Sequence, residues 1–193
     1  MQARRLPEAA VRRILLDIDG TLYDFLKVAR REMGRLGYER DPSGGWGLTA
    51  QGREADLEVV RAVHSDENIL GAEPYDGAVE GVAELAEAFR AEVDVVSHRA
   101  SSTEAATRAW LGRIGLGYRE LHCTGEDKSA FYGGCVLAVD DKPSTIADCV
   151  RRDVPVATIL HGYNLEAVRA LNGAVAFGAG WPDMVSDAKA LFL

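Results

Sequence analysis

Nowhere in the 193 residues does an apolar run approach the ~20 consecutive positions a helix needs to cross a bilayer. A membrane-spanning helix is therefore excluded. Cysteine is scarce: Cys123, Cys135 and Cys149 are odd in number, lack metal-ligand spacing and each sit in an apolar stretch, so they read as reduced core thiols. Positive charge is in deficit, with 22 Lys and Arg against 30 Asp and Glu and a formal charge of −8. Such a chain repels nucleic acid as a whole, which disfavours a long polyanionic substrate but leaves a local basic patch open. Internal repeats, low-complexity tracts and interdomain linkers are also missing. The opening segment Met1 to Pro7 is basic but runs through Glu8, Arg12 and Arg13 before any apolar stretch, so no signal-peptide core follows and a cytoplasmic location is expected.

What remains is an ordinary globular composition, 47% apolar and 27% charged, in a chain long enough to bury roughly 70% of the surface its unfolded form exposes. Apolar strand signals alternate with helical periodicity, which predicts an α/β fold: a doubly wound, Rossmann-like parallel sheet covered on both faces. Ile14-Leu15-Leu16 reads as a buried first strand ending at Asp17. From about Asp24 to Glu73 the chain is polar, with helical signals near 24–36 and 50–64 and no strand signal. Residues 23–74 are therefore expected to form a small helical cap inserted after the first strand, with 1–22 and 75–193 as the core. Val79, Val82, Leu85, Ala86 and Phe89 recur at i, i+3 and i+4 as an amphipathic helix. Strands are expected at Val93 to Val96, Leu121 to Cys123, Cys135 to Val139 and Val154 to Leu160. Ser101 and Glu104 have capping-box spacing, Pro143 suits a first helical position, and the chain after Leu160 reads as loop and peripheral helices.

The chemistry begins at Leu15-Leu16-Asp17-Ile18-Asp19-Gly20-Thr21. Because side chains repeat every second residue along a strand, Asp17 and Asp19 point the same way. They do so at the carboxyl end of a parallel strand, where open α/β sheets bind ligands. Leu137-Ala138-Val139-Asp140-Asp141 repeats the arrangement. Either pair alone reads as a polar turn. Together, at one sheet edge, they would repel unless a cation lay among them, and oxygen-only ligands suit a hard ion such as Mg²⁺. Ser97 ends another strand and could offer its hydroxyl to a phosphate oxygen, while Lys128 could offset phosphate and carboxylate charge. On their own these are a commonplace Ser and a surface Lys.

The ordered set Asp17-x-Asp19-Gly20-Thr21, Ser97, Lys128 and Asp140-Asp141 resembles the four motifs of haloacid dehalogenase-like hydrolases, over about Ile14 to Leu160. The resemblance implies a Mg²⁺-dependent phosphomonoesterase in which Asp17 attacks phosphorus and becomes transiently phosphorylated. It further implies that Asp19 protonates the leaving group and that Ser97 and Lys128 hold the phosphoryl oxygens. Asp17, Asp140 and the backbone carbonyl of Asp19 would be metal ligands, with Asp141 acting through a bound water. Dehalogenase and ATPase branches lack an acid at the position of Asp19, so that residue selects the phosphatase branch. Crowding by other carboxylates should raise its proton affinity, letting it act first as acid and then as base.

Asp17 to Phe25, Ala72 to Glu80 and Asp140-Asp141-Lys142-Pro143 are similar to 5′(3′)-deoxyribonucleotidases, which implies a small phosphate ester, a nucleoside monophosphate, as substrate. Phe25, Trp46 and Tyr75 are candidates to stack on a base, or to form cap core. Thr21, Phe25, His98 and Arg99 are candidates for substrate contact. Arg99 could grip phosphate with its planar fork, and His98 also reads as an ordinary loop residue. Val95 to Arg99, Trp110 and the Asp140-Asp141 turn also look like polynucleotide 3′-phosphatases, an alternative that Arg30, Arg31 and Arg35 keep open. A phosphate-binding protein without turnover is the third reading, although such a module has no need for both a nucleophile and an acid.

Overall fold

The computed structural model describes residues 11–39, 53–125, 127–171 and 173–193. Near-continuous apolar runs form the strands β1 (Arg13–Leu16), β2 (Glu92–Ser97), β3 (Glu120–Cys123), β4 (Cys135–Val139), β5 (Val156–Ile159) and β6 (Val175–Gly178). Runs of this kind suit a sheet buried on both faces. All neighbours pair in parallel, in the order β3-β2-β1-β4-β5-β6. This is the expected doubly wound fold. The chain leaves β1 toward one edge and returns on its other side at β4, so the strand order reverses between two central neighbours.

Around the sheet lie α4 (Ala78–Phe89), α5 (Glu104–Arg113), α6 (Pro143–Arg151), α7 (Leu165–Ala170) and α8 (Trp181–Phe192). The capping box expected at Ser101 and Glu104 is absent: Ser101–Thr103 is a 3-10 turn and α5 starts without a side-chain cap. β6 is a correction as well, since it lies where loop and helices were expected. Between β1 and α4 the described residues hold only helices, α1 (Phe25–Leu36), α2 (Arg53–Val63) and α3 (Asp66–Gly71). Asp24 caps α1 by accepting from the Lys27 amide at 2.9 Å.

The two ends of this helical segment meet. Tyr23 bridges Pro74, and the Tyr75 amide donates to the Leu22 carbonyl at 2.8 Å. Two fully buried tryptophans brace the junction: Trp181 Nε1 donates to the Thr21 carbonyl at 3.0 Å and Trp110 Nε1 to the Ala72 carbonyl at 2.8 Å. One large core cluster runs from Ile14 and Leu16 through Phe25, Met33 and Val63 to Trp181 and Val185. It takes in residues of α1, α2 and α3, so their apolar faces are buried together with the sheet.

Candidate active site

Asp17 follows β1 directly and stays in the ladder, its amide donating to the Val139 carbonyl at 2.9 Å. Leu16 pairs with Val139, so Asp17 and Asp140 each stand one residue beyond a matched pair on adjacent strands. Their side chains must meet. Carboxylate oxygens of Asp17, Asp140 and Asp141 all lie within 4.8 Å of one another, and all three residues are buried.

Lys128, on the 3-10 turn Lys128–Phe131, reaches into this group with Nζ 2.5 Å from Asp17 Oδ1 and 2.7 Å from Asp140 Oδ2. Burial disfavours its charge, but Asp140 and Asp17 more than compensate and raise its pKa. One ammonium does not balance three carboxylates. Burial, opposed by Lys128 and reinforced by Asp140 and Asp19, raises Asp17 to about 6. Burial with Asp17 and Asp140 drives Asp141 well above the usual carboxylate range. A buried, oxygen-only set with surplus negative charge fits a hard divalent cation.

Asp141 is held from several sides. It accepts from Thr21 Oγ1 at 3.2 Å and from the Tyr163 hydroxyl, while Asn164 Nδ2 donates to its backbone carbonyl at 3.0 Å. Gly20 makes room for this cluster: its φ is +85°, and a Cβ there would lie 2.2 Å from Asp141 Oδ2. Only glycine meets both demands. Gly20→Ala should displace Asp141 and lower catalytic turnover by on the order of 100-fold, the scale of a misplacement near 1 Å. Steady-state kinetics on a phosphate ester check this, with circular dichroism confirming that the variant is folded.

Asp19 is buried in a different set of partners. Its Oδ1 accepts from the Tyr23 hydroxyl at 2.7 Å and Arg99 Nη2 at 2.9 Å, and its Oδ2 from Arg99 Nε at 3.1 Å and Ser97 Oγ at 3.4 Å. Burial pushes its carboxyl up, but Arg99 and then His64 outweigh burial and hold it well below the usual range. The expected rise in proton affinity is thus corrected, because the nearest charge is a guanidinium rather than another carboxylate. Arg99 is corrected with it. The fork expected to grip phosphate is 1% exposed, packs over Tyr23 and Trp110, and is committed to Asp19 and to Thr107 Oγ1 at 3.0 Å. Thr21 is buried too, with its hydroxyl on Asp141 rather than facing a substrate.

Asp17, Asp19, Phe25, Val60, His64, His98, Asp141 and Lys142 enclose a cavity of about 140 Å³. Ser97 is fully buried just behind Asp19, its hydroxyl also accepting from the Arg99 amide at 3.2 Å. His98 and Lys142 also line an adjoining open cleft of about 510 Å³, with Tyr132, Ser144 and Thr145. Burial, with Lys128 and Lys142 nearby, lowers His98 to about 4, so its ring is neutral. Of the aromatic candidates, Phe25 is at the cavity and Tyr75 is not among its lining residues, its ring 6.2 Å from that of His161. Trp46 lies outside the described residues. Arg31 and Arg35 are occupied by Glu32, at 3.2 and 2.7 Å.

Four residues here carry no signal in the sequence. Tyr23 is found only through its position four residues after Asp19, Tyr163 and Asn164 follow an ordinary strand, and His64 is a lone histidine after an amphipathic helix. His64 Nε2 stands 3.4 Å from Asp19 Oδ2.

No protein-family model and no curated protein matches the chain. Solved structures share the fold. A haloacid dehalogenase-like family hydrolase from Streptococcus pneumoniae superposes with a TM-score of 0.65 at 11% identity, over 93% of this chain and 99% of that one. A predicted phosphoglycolate phosphatase from Haemophilus somnus gives 0.61 at 16% identity, over 91% and 97%. The L-2-haloacid dehalogenase of Xanthobacter autotrophicus, with chloropropionic acid covalently bound, gives 0.50 at 16% identity, over 81% of each chain. The fold is therefore that of haloacid dehalogenase-like hydrolases. It houses more than one chemistry among those proteins, so function must be argued from the site.

Proposed function

We propose that the chain is a Mg²⁺-dependent phosphomonoesterase working through a phosphorylated Asp17. The observation that carries this reading is the meeting of Asp17, Asp140 and Asp141 within 4.8 Å beside the Lys128 ammonium. Asp17, Asp140 and Asp141 would hold the ion, which would neutralise phosphate charge and let an anionic nucleophile approach an anionic ester. Lys128 steadies Asp17 and shares the charge of the phosphoryl oxygens. The Asp17 carboxylate forms a bond to phosphorus as the bond to the alcohol oxygen breaks, and that oxygen takes up a proton from solvent water. Water then attacks the acyl phosphate, regenerating Asp17 and releasing inorganic phosphate.

The cavity that holds Asp17 and Asp19 also carries His98 and Lys142 on its wall. The rest of the substrate then extends past His98 and Lys142 into the polar cleft. This favours a small polar alcohol, of which a nucleoside is the candidate suggested by the motif flanks. The two closest rivals are the polynucleotide 3′-phosphatase and the binding protein without turnover, and one panel separates all three. Deoxy- and ribonucleoside monophosphates, sugar phosphates and 3′-phosphorylated oligonucleotides are incubated with the protein, with and without Mg²⁺. The expected result is Mg²⁺-dependent phosphate release, fastest with nucleoside monophosphates. Equal slow rates across the panel refute nucleotide specificity, preference for oligonucleotides moves the substrate to nucleic-acid ends, and no turnover leaves a binding protein.

A further inference from the structure

We infer that His64, carried by the cap, is a catalytic residue that donates a hydrogen bond from Nε2 to the bridging oxygen of the substrate ester. The inference rests on the phosphomonoesterase reading and names a group that reading does not contain. Asp19 has little capacity left for the departing oxygen: Oδ1 already accepts from Tyr23 and Arg99, and Oδ2 from Arg99 and Ser97. His64 faces that same Oδ2 across 3.4 Å. Its Nε2 is buried and makes no hydrogen bond within the described residues. A buried ring nitrogen whose nearest acceptor stands beyond good hydrogen-bond distance is poorly satisfied unless something else uses it. Its ring leans on Phe25, centroids 5.9 Å apart, and both line the cavity that holds Asp17 and Asp19.

The direction of approach supports the assignment. Asp17 and Lys128 come from the sheet edge, whereas His64 comes from the end of α2 on the opposite side of the cavity, next to Asp19. A ligand entering the cavity would give Nε2 a closer acceptor than Asp19 Oδ2, 3.4 Å away. The cap thus completes the active site and does not merely cover it.

Leaving-group dependence tests this directly. In saturating Mg²⁺, kcat and KM are measured for the wild type, His64→Ala, His64→Gln and His64→Asn on phosphate esters from p-nitrophenyl to alkyl. Gln can place an amide N–H near the Nε2 position and Asn falls short of it. The structure leads to a loss of about 100-fold in kcat on alkyl phosphates for Ala and Asn, the scale of one donor at developing charge. Little change is expected on p-nitrophenyl phosphate, whose oxygen needs less help, and Gln should recover part of the loss. A uniform loss across leaving groups, unchanged rates, or Gln behaving like Asn overturns the inference. The Gln and Asn comparison stands even if the Ala variant does not fold. Retained activity in Asp17→Asn would sink the parent reading instead, and an inactive wild type would remove both.

Discussion

Asp17→Asn abolishes turnover, with kcat on p-nitrophenyl phosphate falling at least about a thousandfold. The amide is nearly isosteric, so cavity and sheet survive, but it is a far poorer nucleophile toward phosphorus. Deleting a nucleophile in a catalytic unit costs about as much as deleting the unit. A covalent readout should accompany it: wild-type protein quenched in acid during turnover is expected to carry one phosphoryl mass that hydroxylamine removes, and the variant none. Chelation of divalent cations should reduce the wild-type rate to near that of the variant. Full activity in the variant, or activity indifferent to chelation, contradicts the role given to Asp17.

Lys128→Met has the largest expected effect on stability. Nζ lies between Asp17 and Asp140, 2.5 and 2.7 Å away, with the lysine 5% exposed. Removing one partner of a buried ion pair costs about 3–5 kcal/mol because the other charge is left uncompensated. For a chain of 193 residues that corresponds to a fall in melting temperature of roughly 10 °C without divalent cation. Methionine keeps most of the volume, so packing contributes little. Excess Mg²⁺ should then raise the melting temperature of the variant by more than that of the wild type, because the ion supplies charge the lysine no longer does. Equal shifts, or none, would mean that the three carboxylates do not share a cation.

Much of the sheet was legible because its strands are short apolar runs bounded by acidic or small residues. The alternation of side chains, applied to Leu16-Asp17-Ile18-Asp19, was enough to place both carboxylates at one strand end. β6 escaped for physical reasons. Val175-Ala176-Phe177-Gly178 is four residues long, lies beside Gly173 and Gly180, and sits at the sheet edge with Phe177 44% exposed. It therefore lacks the uninterrupted hydrophobicity of the central strands.

The second layer of the site was less readable. Arg99 announced a fork for an anion, but nothing local shows which anion, and the nearest one in the fold is Asp19. The same holds for Thr21, whose hydroxyl meets Asp141 across 120 positions of sequence. His64 shows the limit most plainly: it follows an ordinary amphipathic helix with Val59 and Val63 in the core, and only the packing of α2 against Phe25 brings it to the cavity. Residues that do chemistry at strand ends leave a local pattern. Those that steady or complement them from other elements do not.

The pairing of Tyr23 with Pro74, and of the Tyr75 amide with the Leu22 carbonyl, has a consequence for how such a protein can diversify. The chain exits and re-enters the sheet layer through one doorway, so what lies between is spliced in as a self-closed excursion. Lengthening it adds only a slowly growing closure entropy, and the ladder bearing Asp17 and Asp140 does not notice. The excursion can therefore drift in sequence while the carboxylate-bearing floor beneath it stays as it is.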